Sequence, residues 1–99
     1  MARHDLYRAP DGAGWWLDVQ AEVLDLLNTR VVVPILPEAE APVPAKRLNP
    51  VFEIEGERAV MVTQFLSAVP MRVLGRPVGS LAGRADEIGA ALDMVFVGF

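Results

Sequence analysis

"VVVPIL", Val31 to Leu36, is the stretch that decides the fold. It is β-branched and apolar throughout, with no polar alternation, so both of its faces are expected to be covered. That makes it a central strand. Pro34 carries no N–H and cannot donate to a ladder, so a bulge or an unpaired position is expected there.

Upstream, Trp15-Trp16-Leu17-Asp18-Val19-Gln20 alternates. Trp15, Leu17 and Val19 share one face, and Asp18 and Gln20 the other, the pattern of a half-buried strand. Adjacent tryptophans on a strand point to opposite faces, so one fits the core and the other a rim or a contact. Leu6 and Tyr7 form a short first strand, and Pro10-Asp11-Gly12-Ala13-Gly14 a turn. Downstream, prolines 37, 42, 44 and 50 break the chain into an irregular excursion. A hairpin follows: Val51 to Ile54, a turn at Glu55-Gly56-Glu57, then Arg58 to Thr63. Ala68 to Leu74 is expected as a last strand, and "GRPVGSLAG" (75–83) as a strand-to-helix connection. Leu81, Ala85, Ile88, Leu92 and Val95 then fall at helical spacing, predicting one amphipathic helix over about 84 to 96. Ser80, or Ala82 and Gly83, would mark its start, and Gly98 suits a left-handed residue just past its end. Strands followed by a terminal helix give an α+β fold with an antiparallel sheet.

The chain has 99 residues, the size of one domain, taken as 1–99. No apolar run reaches the ~18 residues of a membrane span. "MARHDLYRAP" has no signal-peptide core, so a cytoplasmic protein is expected. The absence of cysteine removes disulfides, thiolate metal sites and a thiol nucleophile. Nine basic residues are scattered in a chain of net charge −4, with Lys46–Arg47 the only adjacent pair. Direct gripping of nucleic acid needs clustered cations, so it is not expected.

Nothing in the sequence carries catalysis or a metal. His4, the only histidine, has no acid or nucleophile nearby and is expected at the surface. Glu38, Glu40, Glu53, Glu55 and Glu57 lack the spacing of a cation loop. Ser67 and Ser80 sit in no nucleophile turn. No enzyme and no cofactor are expected. The unusual feature is the end, "ALDMVFVGF" (91–99), which is mostly apolar and is either core or a surface that meets something else. Asp93 sits in the helix's last turn, where the dipole disfavours a negative charge.

Five segments, in order and with little change of spacing, resemble the CcdB-type toxins of bacterial toxin–antitoxin modules. "WWLDVQAEVLD" (15–25) is similar to the family's aromatic-x-Asp-Val-Gln strand and its following Asp. "RVVVPIL" (30–36) is similar to its Val-Ile-Pro-Leu strand. "LNPVFEI" (48–54) and "SAVPMRVLG" (67–75) resemble its Leu-x-Pro-Val and Ser-Val-Pro segments, and "ALDMVFVGF" its Met-Phe-Trp-Gly-Ile ending.

The resemblance implies a small SH3-like β-barrel with a C-terminal helix, acting as a symmetric homodimer. It implies binding to the A subunit of DNA gyrase, a topoisomerase held on cleaved DNA, and neutralisation by a cognate antitoxin, as in plasmid maintenance. Carried over by position, the gyrase-facing set is Val23, Leu24, Asp25, Asp93, Val97, Gly98 and Phe99, with Met94 and Val95 packing the dimer. Val97 stands where the family has tryptophan, and Asp93 where it has asparagine. Those two departures leave open a protein of the same fold with a weakened or different target. A MazF-type endoribonuclease is the third reading, since that class shares the barrel.

Overall fold

The computed structural model describes residues 2–99. Seven strands and one α-helix follow one another: β1 (Asp5–Arg8), β2 (Trp15–Asp18), β3 (Thr29–Pro37), β4 (Val51–Ile54), β5 (Glu57–Met61), β6 (Ser67–Pro70), β7 (Gly79–Ser80) and α1 (Ala85–Phe96). Single 3₁₀ turns lie at Glu22–Leu24, Glu38–Glu40, Thr63–Phe65, Met71–Val73 and Ala82–Arg84.

The expected central strand is central. β3 lies against β2 on one edge, with Trp16 opposite Pro34 and Asp18 opposite Val32. Its other edge has two partners in succession: β6 along Thr29–Val32 and β5 along Ile35–Pro37. Pro34 falls in the gap between them, where the Val62 N–H donates to its carbonyl at 2.9 Å and no donor is required of it. The proline therefore marks the changeover, and one strand serving two partners curls the sheet. The path runs β4-β5-β3-β2-β1-β7, with β6 beside β3 and every pairing antiparallel. The result is a curled antiparallel half-barrel closed by the C-terminal helix.

The concave face holds Leu6, Trp15, Leu17, Val19, Val33, Ile35, Phe52, Ile54, Ala59 and Met61. α1 covers it with Ile88 and Ala91, and Leu81 and Leu92 pack alongside. Each fully buried aliphatic side chain contributes roughly 1.5–3 kcal/mol of transfer free energy. Trp15 is buried in the core and Trp16 is half-buried, so the two tryptophans divide between the faces.

Several sequence expectations need correcting. The 68–74 strand stops at Pro70 because its partner β3 begins at Thr29; Met71 donates to Asn28 O and the chain turns into 3₁₀. The hairpin turn holds two residues, not three. Ile54 pairs with Glu57, and Glu55 (φ 54°) and Gly56 (φ 78°) both take positive φ, the geometry whose twist suits a two-residue hairpin. β5 ends at Met61, short of Thr63. The 75–83 connection contains β7, two residues paired to β1. Ser80 caps no helix: its Oγ accepts from Ala82 N, within the 3₁₀ turn that leads into α1. His4 is partly buried, with φ 74°, since its backbone bonds to Asp18 O and receives Leu81 N. Finally, Asp18 and Gln20 do not face solvent; both are buried.

Candidate docking surface

The burial of Asp18 and Gln20 has a cause. Arg30, at the start of β3, is wholly buried on that second face beside Asp18. Its Nε and Nη2 donate to Asp18 Oδ2 at 3.0 and 2.6 Å. Its Nη1 donates to Asp25 Oδ1 at 2.7 Å. Asp18 Oδ1 accepts the Gln20 backbone N–H at 3.0 Å. The Gln20 amide spans the same gap: Oε1 accepts from Val31 N and Nε2 donates to Leu24 O, both at 3.0 Å. No buried side-chain nitrogen or oxygen lacks a partner among the described residues, which is what makes a buried polar network tolerable.

Burial pushes the Asp18 carboxyl above the usual carboxylate range, against the pull of the Gln20 N–H and of Arg30. Burial pulls the Arg30 guanidinium down, but hydrogen bonds and charge from Asp25 and Asp18 outweigh it and hold it above its ordinary value. The cation is permanent.

This network shapes the segment between β2 and β3. Residues 22–27 form a compact turn, with Leu24, Asp25 and Leu27 amides donating to Ala21, Glu22 and Leu24 carbonyls. Its apolar side chains point outward: Val23 is 87% exposed, Leu26 100%, and Leu24 and Leu27 about half. A connecting loop is ordinarily polar, so this one is an anomaly.

The second apolar surface is the end of α1. The Val97 and Gly98 amides both donate to Asp93 O, at 2.7 and 3.0 Å. Gly98 has φ 92°, the left-handed closure expected past the helix. Phe96 (69%), Val97 (58%) and Phe99 (75%) stand in solvent. The Asp93 side chain is exposed too, Val95 is partly so, and Met94 is half-buried.

The residues singled out from sequence thus fall into two groups. Val23, Leu24 and Asp25 share the turn. Asp93, Met94, Val95, Val97, Gly98 and Phe99 share the helix end. Within one chain no hydrogen bond or ion pair joins the groups among the described residues. Asp25 is the one whose carboxylate is engaged, turned onto Arg30. Arg30, Leu26 and Leu27 were not singled out. Their signal was an apolar Val-Leu-x-Leu-Leu run inside a connection flanked by Asp18 and Arg30.

Chemistry is sparse. No group of His, Asp or Glu among the described residues could hold a metal ion. Burial, then the neighbouring Arg3 charge, holds the His4 imidazole below its usual range. Among the described residues no helix is long and apolar enough to cross a membrane.

The half-barrel recurs in solved toxins. Mycobacterium tuberculosis toxin MazF-mt6 superposes with a TM-score of 0.76 at 21% identity, over 93% of this chain and 95% of its own. An endoribonuclease in complex with its cognate antitoxin, from a mycobacterial species, gives 0.78 at 16% identity over 97% and 94%. A further Mtb toxin gives 0.68 at 20% identity over 96% and 99%. The fold is therefore that of the MazF- and CcdB-like toxins. Within that class, the chain belongs to the CcdB family, whose model, described as CcdB protein, matches residues 3–98.

Proposed function

We propose that this protein is the toxin of a toxin–antitoxin pair, that it docks on the A subunit of DNA gyrase, and that it holds gyrase on cleaved DNA. It does so as a symmetric homodimer in the cytoplasm, and a cognate antitoxin neutralises it. The observation that carries the reading is the solvent-facing apolar end Phe96–Phe99 in a chain of the CcdB family. An exposed apolar tip on a helix and an exposed apolar turn are each the kind of surface a protein partner covers. Net charge −4 fits a toxin that leaves the DNA contact to gyrase.

Met94 and Val95 pack the two protomers. Val23, Leu24, Asp25, Asp93, Val97, Gly98 and Phe99 form the face toward gyrase. Val97 is smaller than the family's tryptophan, and truncating a tryptophan anchor costs about 2–4 kcal/mol. Asp93 accepts hydrogen bonds where an asparagine also donates. Binding is therefore weaker than that of members with the full set, by roughly 30-fold or more.

The test is gyrase, ATP and supercoiled plasmid mixed with purified protein. Linear DNA after detergent is the expected product. Its absence at any protein excess counts against the reading and leaves a changed target. Specific cleavage of a long single-stranded RNA would instead make the protein an endoribonuclease, as the solved neighbour in complex with its antitoxin is.

A further inference from the structure

We propose that Arg30 is a positioning residue for docking. Through Asp25 and Asp18 it clamps the 22–27 turn to the sheet, so that Val23, Leu24 and Leu26 are held out in solvent before any partner arrives. The identity of the partner rests on the gyrase reading above; the clamp itself does not.

Three observations carry it. First, Arg30 is anchored twice and in two elements: Asp18 belongs to β2, and Asp25 closes the turn. Arg30 and Asp18 are fully buried, and Asp25 is the member of the cluster that reaches the surface, its side chain 38% exposed. Second, stability gives no reason for such a group. A buried Arg–carboxylate cluster is often no more stabilising than apolar side chains of the same volume. What it adds is fixed geometry. Third, the turn needs a tether. Four of its six residues are apolar and exposed, and a free loop of that composition would fold those side chains onto the sheet. Asp25 on Arg30 and the Leu24 carbonyl on Gln20 Nε2 prevent this at two adjacent residues.

The clamp changes the role of Asp25. Its nearer oxygen is committed to Arg30 within the chain. It acts on a partner by holding Val23 and Leu24, not by offering its charge. A turn that is already ordered pays its entropy before binding, and apparent affinity scales with the fraction in the competent form.

The test uses Asp25→Ala, which cuts the clamp while leaving the Asp18–Arg30 pair, and Asp25→Asn, whose amide oxygen can still accept from Nη1. Hydrogen exchange is followed at the Leu24, Asp25 and Leu27 amides in the free protein. Affinity for gyrase A subunit is measured at two salt concentrations. Loss of a charge-assisted hydrogen bond is worth about 10- to 100-fold. Asp25→Ala should therefore speed exchange at those three amides by about that factor, leave β2 and β3 amides unchanged, and weaken gyrase binding, by no more than the factor by which exchange speeds up. The salt dependence of binding should not move, and Asp25→Asn should restore most of the protection. Unchanged exchange in Asp25→Ala overturns the proposal, whether or not the wild type binds gyrase. Weaker binding with unchanged exchange and a changed salt slope overturns it in favour of a direct Asp25 contact. If the wild type fails to bind gyrase while the exchange prediction holds, the clamp stands and the partner is another protein.

Discussion

Replacing Arg30 with methionine tests the buried network more severely than any other single change. The guanidinium makes three charge-assisted bonds, two to a wholly buried carboxylate. Methionine matches much of the side-chain length and none of the donors. Asp18 would keep only the Gln20 N–H. Leaving a buried charge without its partner costs about 3–5 kcal/mol, a large share of the 5–15 kcal/mol typical of a domain. With a urea slope of about 1–3 kcal/mol per molar, the midpoint should fall by at least about 1 M. The pH dependence carries a sign. Burial already raises the Asp18 carboxyl, and losing Arg30 leaves only the Gln20 N–H to oppose that rise. For a carboxyl raised in the folded state, the stabilising contribution is complete below the unfolded value and is lost as pH rises through the folded one. The deficit of Arg30→Met should therefore be smaller near about pH 4.5 than near about pH 7.5. Adding Asp18→Asn removes the orphaned charge, keeps an acceptor for Gln20, and should recover about half of the loss. Urea melts at fixed protein concentration give all three values. A single-variant loss under about 1 kcal/mol, or a double variant no better than the single, refutes the reasoning.

Other expectations are independent of that network. A Cβ on Gly14 would lie 2.2 Å from the Ile35 carbonyl oxygen, and its φ is +78°, whereas Gly12 at φ +82° has open space. Gly14→Ala should lose about 3 kcal/mol or more and Gly12→Ala about 1 kcal/mol, read from paired thermal melts. His4, the only histidine, should give a single imidazole titration by NMR below its usual value. A base lowered in the folded state contributes stability that is present above the unfolded value, about 6.5, and is lost as pH falls through the folded one. Val97→Trp should tighten binding to gyrase A subunit by about 10-fold or more in a titration, since it adds an indole at an exposed position of the tip.

The sequence made the frame legible and left the wiring hidden. Periodicity located Trp15, Leu17 and Val19 on the core face, β3 at the centre and α1 to within a residue, because each has a long enough pattern to show its period. β7 is two residues long and has no period to read. The turn reads from the sequence as Glu55-Gly56-Glu57, but its length of two residues depends on the positive φ of Glu55, which the letters do not fix. Asp18 and Gln20 read as outward-facing because polar residues on an alternating strand usually are. Their burial follows from Arg30, twelve residues away from Asp18 in sequence, and only the pairing of β2 with β3 brings them together. The apolar tip was visible as a terminal run of large side chains. The apolar turn is legible only in part: Val23 and Leu24 come from the resemblance, while the fully exposed Leu26 is not among the residues it carries over.

The most direct test of the central claim is a titration of gyrase A subunit with the intact chain and with a chain lacking Val97, Gly98 and Phe99. Both should unfold at nearly the same urea concentration, because these residues lie outside the core. The shortened chain should bind at least about 100-fold more weakly than the intact one. Equal binding by the two would contradict the account, since the exposed apolar end would then do nothing.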